Sequence, residues 1–294
     1  MRMLVTGGSG FIGSHVVDKL LDAGHTVRVL DMKEPHRGDV EHFKGNILSR
    51  EVVKQAIKDV DFIYHFAAAS NIDLVKNNPL ETIEFNIMGT AHLLEEARYS
   101  NIRRFVMASS VFVHDTRGHL YTTSKLASEM LCKDYHTLFS VPYTILRIGT
   151  AYGPRSRSAD VVSIFVQRAL RNENLTIFGS GKQKRNFIYV EDIALACVAV
   201  INENAKNKIF TIAGEKSITI EELAYTVKNI VNPAIEIILK EASNREDDYL
   251  GQINNLEETF EELGWQPRID IVNGISEYTK WYKWNTIMQD QVKE

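Results

Sequence analysis

Cysteine is nearly absent from this chain. Cys132 and Cys197 are the two among 294 residues, which excludes a disulfide framework and any paired-cysteine zinc site. Each stands in a stretch that reads as an apolar-faced helix, so both are expected as small core residues. An excess of one charge sign is missing too. The net formal charge is −4 and the basic residues are scattered, which argues against a nucleic-acid surface and a polybasic membrane patch. No apolar run approaches the roughly 18 residues of a membrane span. The amino terminus runs straight into a strand at Met3-Leu4-Val5, with no basic segment leading a long apolar one, so no signal peptide is visible. The chain also lacks internal repeats, low-complexity tracts and Pro- or Ser-rich linkers. The expectation is a cytoplasmic protein with no metal, nucleic-acid or membrane partner.

What the chain does have is an ordinary globular balance, 44% hydrophobic and 24% charged, and enough length to bury a large core without staples. Its first half alternates short apolar runs with longer periodic segments. Strands are expected at Arg2–Thr6, Thr26–Leu30, Phe62–His65, Arg104–Ala108 and Tyr143–Arg147, with helices at Phe11–Ala23, Leu80–Tyr99 and Thr122–Phe139. Such alternation means βαβ units and a mostly parallel sheet. The fold class is therefore α/β, a Rossmann-type doubly wound parallel sheet with a smaller, interleaved α/β lobe. The first domain is expected over residues 1–155, with 188–201 returning to it, and the second lobe mainly over 156–294. In that lobe helices are expected at Val162–Arg171, near Glu221–Val231, near Asn255–Leu263 and near Val272–Trp284, with a loop at Phe178–Arg185.

Three constellations carry chemistry. Gly7-Gly8-Ser9-Gly10-Phe11-Ile12-Gly13 follows the first strand and opens the first helix. Glycines at 7, 10 and 13 allow a tight turn, close approach of a pyrophosphate to the backbone, and close helix packing. The helix amino terminus favours the phosphate charge. Second, Asp31 ends the second strand, where a carboxylate can accept hydrogen bonds from both ribose hydroxyls and repels a 2′-phosphate. That favours NAD over NADP, although Lys33 and Arg37 lie nearby. Third, Tyr121-Thr122-Thr123-Ser124-Lys125 puts a tyrosine and a lysine on one helix face, one turn apart. A nearby ammonium and an oxidised nicotinamide both favour a phenolate, which can take the proton of a hydroxyl as hydride leaves its carbon. Ser110, after the strand expected at Arg104–Ala108, can share a hydrogen bond with the same hydroxyl.

With these motifs the chain resembles the extended short-chain dehydrogenase/reductase family, in its NAD-dependent nucleotide-sugar epimerase and dehydratase branch, over nearly its whole length. The resemblance implies Ser110, Tyr121 and Lys125 as catalytic residues. It implies cofactor contacts at Gly7, Gly10, Phe11, Ile12, Gly13, Asp31, Asn46 and Ile47, and further along at Phe66, Ala67, Ala68, Asn86 and Ser109, besides Tyr121 and Lys125. His65-Phe66-Ala67-Ala68 is similar to the segment that passes under the cofactor, and Asn46 stands where the family usually has Asp. Arg147 and Tyr152-Gly153-Pro154 match the family motif that follows the strand expected at Tyr143–Arg147. Arg185 and Arg245 match arginines that grip the diphosphate of a nucleotide sugar, a task suited to guanidinium forks. Leu263-Gly264-Trp265 and Trp281 match the carboxyl-terminal signature. The two long helices are similar to those that pair across a two-fold axis, so a homodimer is expected.

The chain departs from the family in several places. Val113-His114-Asp115 replaces the usual V-Y-G, and Ser110 and Tyr121 are eleven positions apart, fewer than is usual, so His114 or His119 is a candidate to enter the site. Thr150, a candidate substrate contact with Ser110, replaces an asparagine. Gly149 and Ser70 are also unusual. Dehydratases of the family need an acid–base pair just after the reaction serine or threonine, and decarboxylases of nucleotide-linked uronic acids place a glutamate there. Val111 and Phe112 occupy those positions. An epimerase working through a transient 4-keto sugar, with Tyr121 as base, therefore ranks first. Next come a 4-ketoreductase or dehydrogenase of a sugar nucleotide or other alcohol, then a dehydratase or decarboxylase. A non-catalytic NAD-sensing protein is disfavoured because Ser110, Tyr121 and Lys125 are all present.

Overall fold

Seven short strands form one all-parallel sheet. Its order from one edge is Lys208–Ile212, Tyr143–Ile148, Arg104–Ser110, Phe62–His65, Arg2–Thr6, Thr26–Asp31 and Glu41–Lys44. The computed structural model describes residues 1–70, 72–114, 120–241, 253 and 256–291. The sheet's middle strands are buried on both faces: Phe62–His65 and Arg104–Ser110 expose no residue appreciably. That is why these strands read as continuous apolar runs rather than alternating ones. This is the expected Rossmann-type α/β architecture.

Clustering of contacts divides the chain into two units. The first comprises Met1–Ile148, Ala194–Ile212 and Asn254–Gln266; the second comprises Gly149–Ile193, Ala213–Ile253 and Pro267–Glu294. In the first unit, helices Phe11–Asp22, Arg50–Ile57, Gly89–Ala97 and Leu120–Phe139 lie between the strands in sequence. The core gathers Leu4, Leu30, Ile63, Leu93, Phe105 and Met107 with Cys132. Cys132 and Cys197 are both fully buried, as expected of core residues. Leu126 and Met130 are exposed on the Leu120–Phe139 helix, on the element through which pairing of two copies is expected.

Among the described residues the second unit holds three two-stranded ladders. Thr150–Tyr152 runs parallel to Phe187–Tyr189, Leu175–Phe178 parallel to Ile237–Lys240, and Lys184–Arg185 antiparallel to Ile218–Thr219. Its core is aromatic, built from Tyr152, Phe165, Phe187, Tyr189 and Tyr278, with Trp281 stacked on Tyr278 at 5.9 Å. Gly149 has a packing reason here: a Cβ would sit 2.8 Å from the Asn186 carbonyl and 2.9 Å from the Ala213 methyl.

Two of the expected segments differ from the sequence reading. The continuous helix expected at Leu80–Tyr99 is broken into Pro79–Ile83, a π-type turn at Glu84–Met88, and Gly89–Ala97. The π turn carries Asn86, whose buried side chain accepts from Ala69 N at 2.7 Å and donates to Ala69 O and Ser124 Oγ, both at 3.0 Å. Three hydrogen bonds to groups off the helix hold the inserted residue, a common cause of such turns at working sites. The loop expected at Phe178–Arg185 begins at the end of one strand and ends in another, Lys184–Arg185.

Candidate active site

The carboxyl ends of the parallel strands bring the sequence motifs together, where open α/β sheets place ligands. Gly7 leaves the first strand at φ +72°, the left-handed region that suits glycine. A Cβ there would lie 2.6 Å from Ala67 N, because the Phe66–Ala67 backbone crosses directly against the turn. A Cβ on Gly13 would lie 2.2 Å from the Gly7 carbonyl. The Phe11–Asp22 helix thus starts hard against the strand. Its Gly10 N-cap offers no side chain, and its first turn carries no acidic residue. Backbone N–H groups left without partners at such a terminus fit an anion like a pyrophosphate.

Asp31 stands at the end of the second strand, half-buried, and its two oxygens accept from Ser9 N and Lys33 N, each at 3.0 Å. A carboxylate has about four acceptor sites, so both oxygens retain capacity for ribose hydroxyls. Arg37 is committed to Asp39 through two hydrogen bonds of 2.8 and 2.7 Å, an arrangement that does not present it as a 2′-phosphate ligand. Asn46 accepts from Leu48 N at 3.0 Å, a local turn that leads into the Ser49-capped helix. The Ile47 side chain is buried in the core, where a Cβ on Gly89 would meet its Cδ1, so a cofactor could meet this residue only through its backbone.

On the Leu120–Phe139 helix, Tyr121, Lys125 and Glu129 follow one another at four-residue steps. Lys125 is buried, donates from Nζ to Ala108 O at 2.8 Å, and lies 5.9 Å from the centroid of the Tyr121 ring. Desolvation pushes its ammonium down to about 8. Ser110 is buried at the end of the fifth strand, and its Oγ accepts from Phe112 N at 3.3 Å. Its hydroxyl proton is therefore left to donate elsewhere.

Sequence reasoning missed two supporting clusters. In the first, buried Glu129 takes Arg147 in a fork, Nε to Oε1 at 2.9 Å and Nη2 to Oε2 at 2.7 Å, and accepts from the Ser109 hydroxyl at 2.6 Å. Ser109 thus spends its hydroxyl on Glu129. The i, i+4, i+8 stripe from Tyr121 was the signal that could have found Glu129. The second cluster centres on His65, held by Thr6 Oγ1 at 2.8 Å and Thr90 Oγ1 at 3.0 Å. Thr90 donates its own proton to Asn86 O at 2.6 Å, so His65 must donate from Nε2 and accept at Nδ1. Burial, then the Lys125 charge, hold this ring down to about 3, and it stays a neutral strut between Thr6 of the glycine-loop strand and Thr90 of the Gly89–Ala97 helix.

Thr150 and Arg185 belong to the second unit. Thr150 N donates to Asn186 O at 3.0 Å, and Arg185 pairs with Ile218 in its short ladder while donating to Lys184 O. Arg245 and His119 lie outside the described residues. Among the described residues no group of side chains could hold a metal ion, and no helix is long and apolar enough to cross a membrane.

Residues 3–213 match the NAD dependent epimerase/dehydratase family. The chain belongs to that family. Among curated relatives it is similar to UDP-glucuronic acid decarboxylase 1 of Arabidopsis thaliana, 32% identical over all of this chain and 72% of the relative. It is also similar to the putative UDP-glucose 4-epimerase of Methanocaldococcus jannaschii, 33% identical over 96% of this chain and 99% of that one. Among solved structures, the UDP-glucose 4-epimerase of Thermotoga maritima, determined with UDP-glucose, superposes with a TM-score of 0.90 at 27% identity, covering 97% of this chain and 100% of that one. Membership of an NAD dependent family agrees with the glycine turn and with Asp31. It leaves the outcome of the reaction to the residues around Ser110.

Proposed function

We propose that this chain is an NAD-dependent nucleotide-sugar epimerase, acting on a UDP-sugar or a similar nucleotide-diphosphate sugar through a transient 4-keto sugar. The observation that carries the reading is the apolar pair after Ser110. Val111 is buried and Phe112 half-buried in a short 3-10 turn, and neither can pass a proton to a leaving hydroxyl or assist loss of carbon dioxide. The carboxylate that the Tyr121 stripe does carry, Glu129, is buried and occupied by Arg147 and Ser109. Bound NAD supplies a hydride acceptor at the nicotinamide. Tyr121 takes the proton of the sugar hydroxyl, with the Lys125 ammonium favouring its phenolate. Ser110 donates to the same oxygen. Asp31 holds the adenosine ribose, and Arg185 and Arg245 grip the diphosphate.

The test is mass spectrometry of products from a panel of nucleotide sugars, with NADH followed in parallel. An isomer equal in mass to the substrate, with no net change in NADH, is the expected result. The decarboxylase relatives make loss of carbon dioxide from a nucleotide-linked uronic acid the competing outcome, and a product lighter by that mass sinks the epimerase reading. Stoichiometric consumption of added NADH moves the assignment to a ketoreductase. For the cofactor, Asp31→Ala is expected to weaken NAD binding by calorimetry and to narrow its margin over NADP. An unchanged margin would remove Asp31 from the ribose.

A further inference from the structure

His114 stands where the family pattern has tyrosine, and the structure gives it a specific partner. Its Nε2 lies 3.3 Å from Nη1 of Arg147. A guanidinium only donates, so Nε2 is the unprotonated acceptor and the ring proton sits on Nδ1. The other nitrogens of Arg147 in this cluster, Nε and Nη2, are fixed on buried Glu129, which also receives the Ser109 hydroxyl. His114 closes the four-residue turn Val111–His114, which starts directly after Ser110. At the start of that turn Phe112 N donates to Ser110 Oγ. The turn is thus held at its start by Ser110 and at its exposed end, through His114, by the Arg147–Glu129 cluster.

We propose that His114 is a positioning residue for Ser110: its neutral imidazole clamps the post-serine turn onto Arg147 and so fixes the direction in which Ser110 donates. This rests on the catalytic role of Ser110 proposed above. Phe112 N occupies an acceptor site of Ser110 Oγ only while the turn keeps its shape, and the clamp keeps that shape. A proton on Nε2 removes the acceptor and sets two cations face to face, so acid opens the clamp. Among the described residues Arg147 and Glu129 are the charged groups that act on the ring. Burial and Arg147 lower its titration from the ordinary histidine value, and Glu129 opposes them. The clamp is therefore closed at neutral pH and opens as pH falls below the ordinary histidine range.

Two measurements test this on the full chain. Ring-nitrogen NMR of the purified protein, without substrate, should find His114 protonated on Nδ1 at pH 7 and titrating below the ordinary histidine value of about 6.5. In kinetics with the sugar nucleotide that turns over, His114→Phe should lower kcat about tenfold, the rate equivalent of one hydrogen bond, with KM and bound NAD unchanged. His114→Gln keeps an acceptor oxygen for Arg147 but cannot titrate. It should hold kcat at the wild-type level and abolish the acid limb of the pH profile. A merely structural side chain would not move that limb. A neutral ring protonated on Nε2, a wild-type kcat in His114→Phe, or an acid limb that persists in His114→Gln overturns the proposal. If no nucleotide sugar reacts, the catalytic reading has failed, and the clamp stands or falls on the ring tautomer alone.

Discussion

Tyr121→Phe is expected to lower kcat by about 10²–10⁴-fold, the usual contribution of a positioned acid or base, while leaving the fold and bound NAD in place. The substitution removes one hydroxyl and keeps the ring that lies 5.9 Å from Lys125 Nζ. Tyrosine ordinarily titrates near 10, so the phenolate needs help at neutral pH. Lys125 provides it as a buried cation, made costly by desolvation and held by the Ala108 carbonyl. Burial depresses the Lys125 titration to about 8, so the ammonium is present below that value and lost above it. Support for the phenolate should fade as pH rises past about 8, giving an alkaline fall in kcat that Lys125→Arg shifts upward. Steady-state kinetics on the converted nucleotide sugar, with retained NAD measured by absorbance, reads both effects. An unaffected Tyr121→Phe turnover would leave the stripe of Tyr121, Lys125 and Glu129 as packing alone.

The parts of this site readable in the sequence are those set by local spacing. Gly7, Gly10 and Gly13 declare a turn between a strand and a helix because each spacing has a steric reason, and the 2.2 Å approach at Gly13 is that reason made visible. Tyr121 and Lys125 are one helical turn apart, and periodicity alone puts them on one face. Phe62–His65 and Arg2–Thr6 were legible as strands because burial on both faces makes a parallel strand a plain apolar run.

What escaped was set by contacts distant in sequence. Lys208–Ile212 is a short run between polar residues, and it becomes the edge strand only by pairing with Tyr143–Ile148 more than fifty residues earlier. The apolar pattern of Leu80–Tyr99 continues through Asn86, so nothing local announces a π turn. The turn exists because Asn86 reaches Ala69 and Ser124. The burial of the Ile47 side chain against Gly89 depends on a helix some forty residues away. Arg147 was visible as part of a motif, but its partner was not. Glu129 lies on another element, and a carboxylate on a helix is usually a solvated one.

Glu129 is also where the largest loss of stability is expected. Its carboxylate is fully buried and receives three hydrogen bonds, two from Arg147 and one from Ser109. Glu129→Ala leaves Arg147 as an uncompensated, largely buried cation and Ser109 without an acceptor. Breaking a buried pair in this way costs about 3–5 kcal/mol, seen as an early unfolding midpoint in urea for the unit that contains it. Replacing the whole cluster should behave differently. Ser109→Ala with Glu129→Leu and Arg147→Met removes every polar partner together, and apolar side chains of similar volume often match or exceed a buried ion pair in stability. Most of the lost stability is therefore expected to return. Activity is not expected to return with it, because His114 then has no guanidinium to hold and the turn after Ser110 is released. A stable triple variant with low kcat separates what the cluster does for the fold from what it does for Ser110. A Glu129→Ala protein as stable as wild type would mean that the pair is effectively solvated, and the anchoring role assigned to Arg147 would go with it.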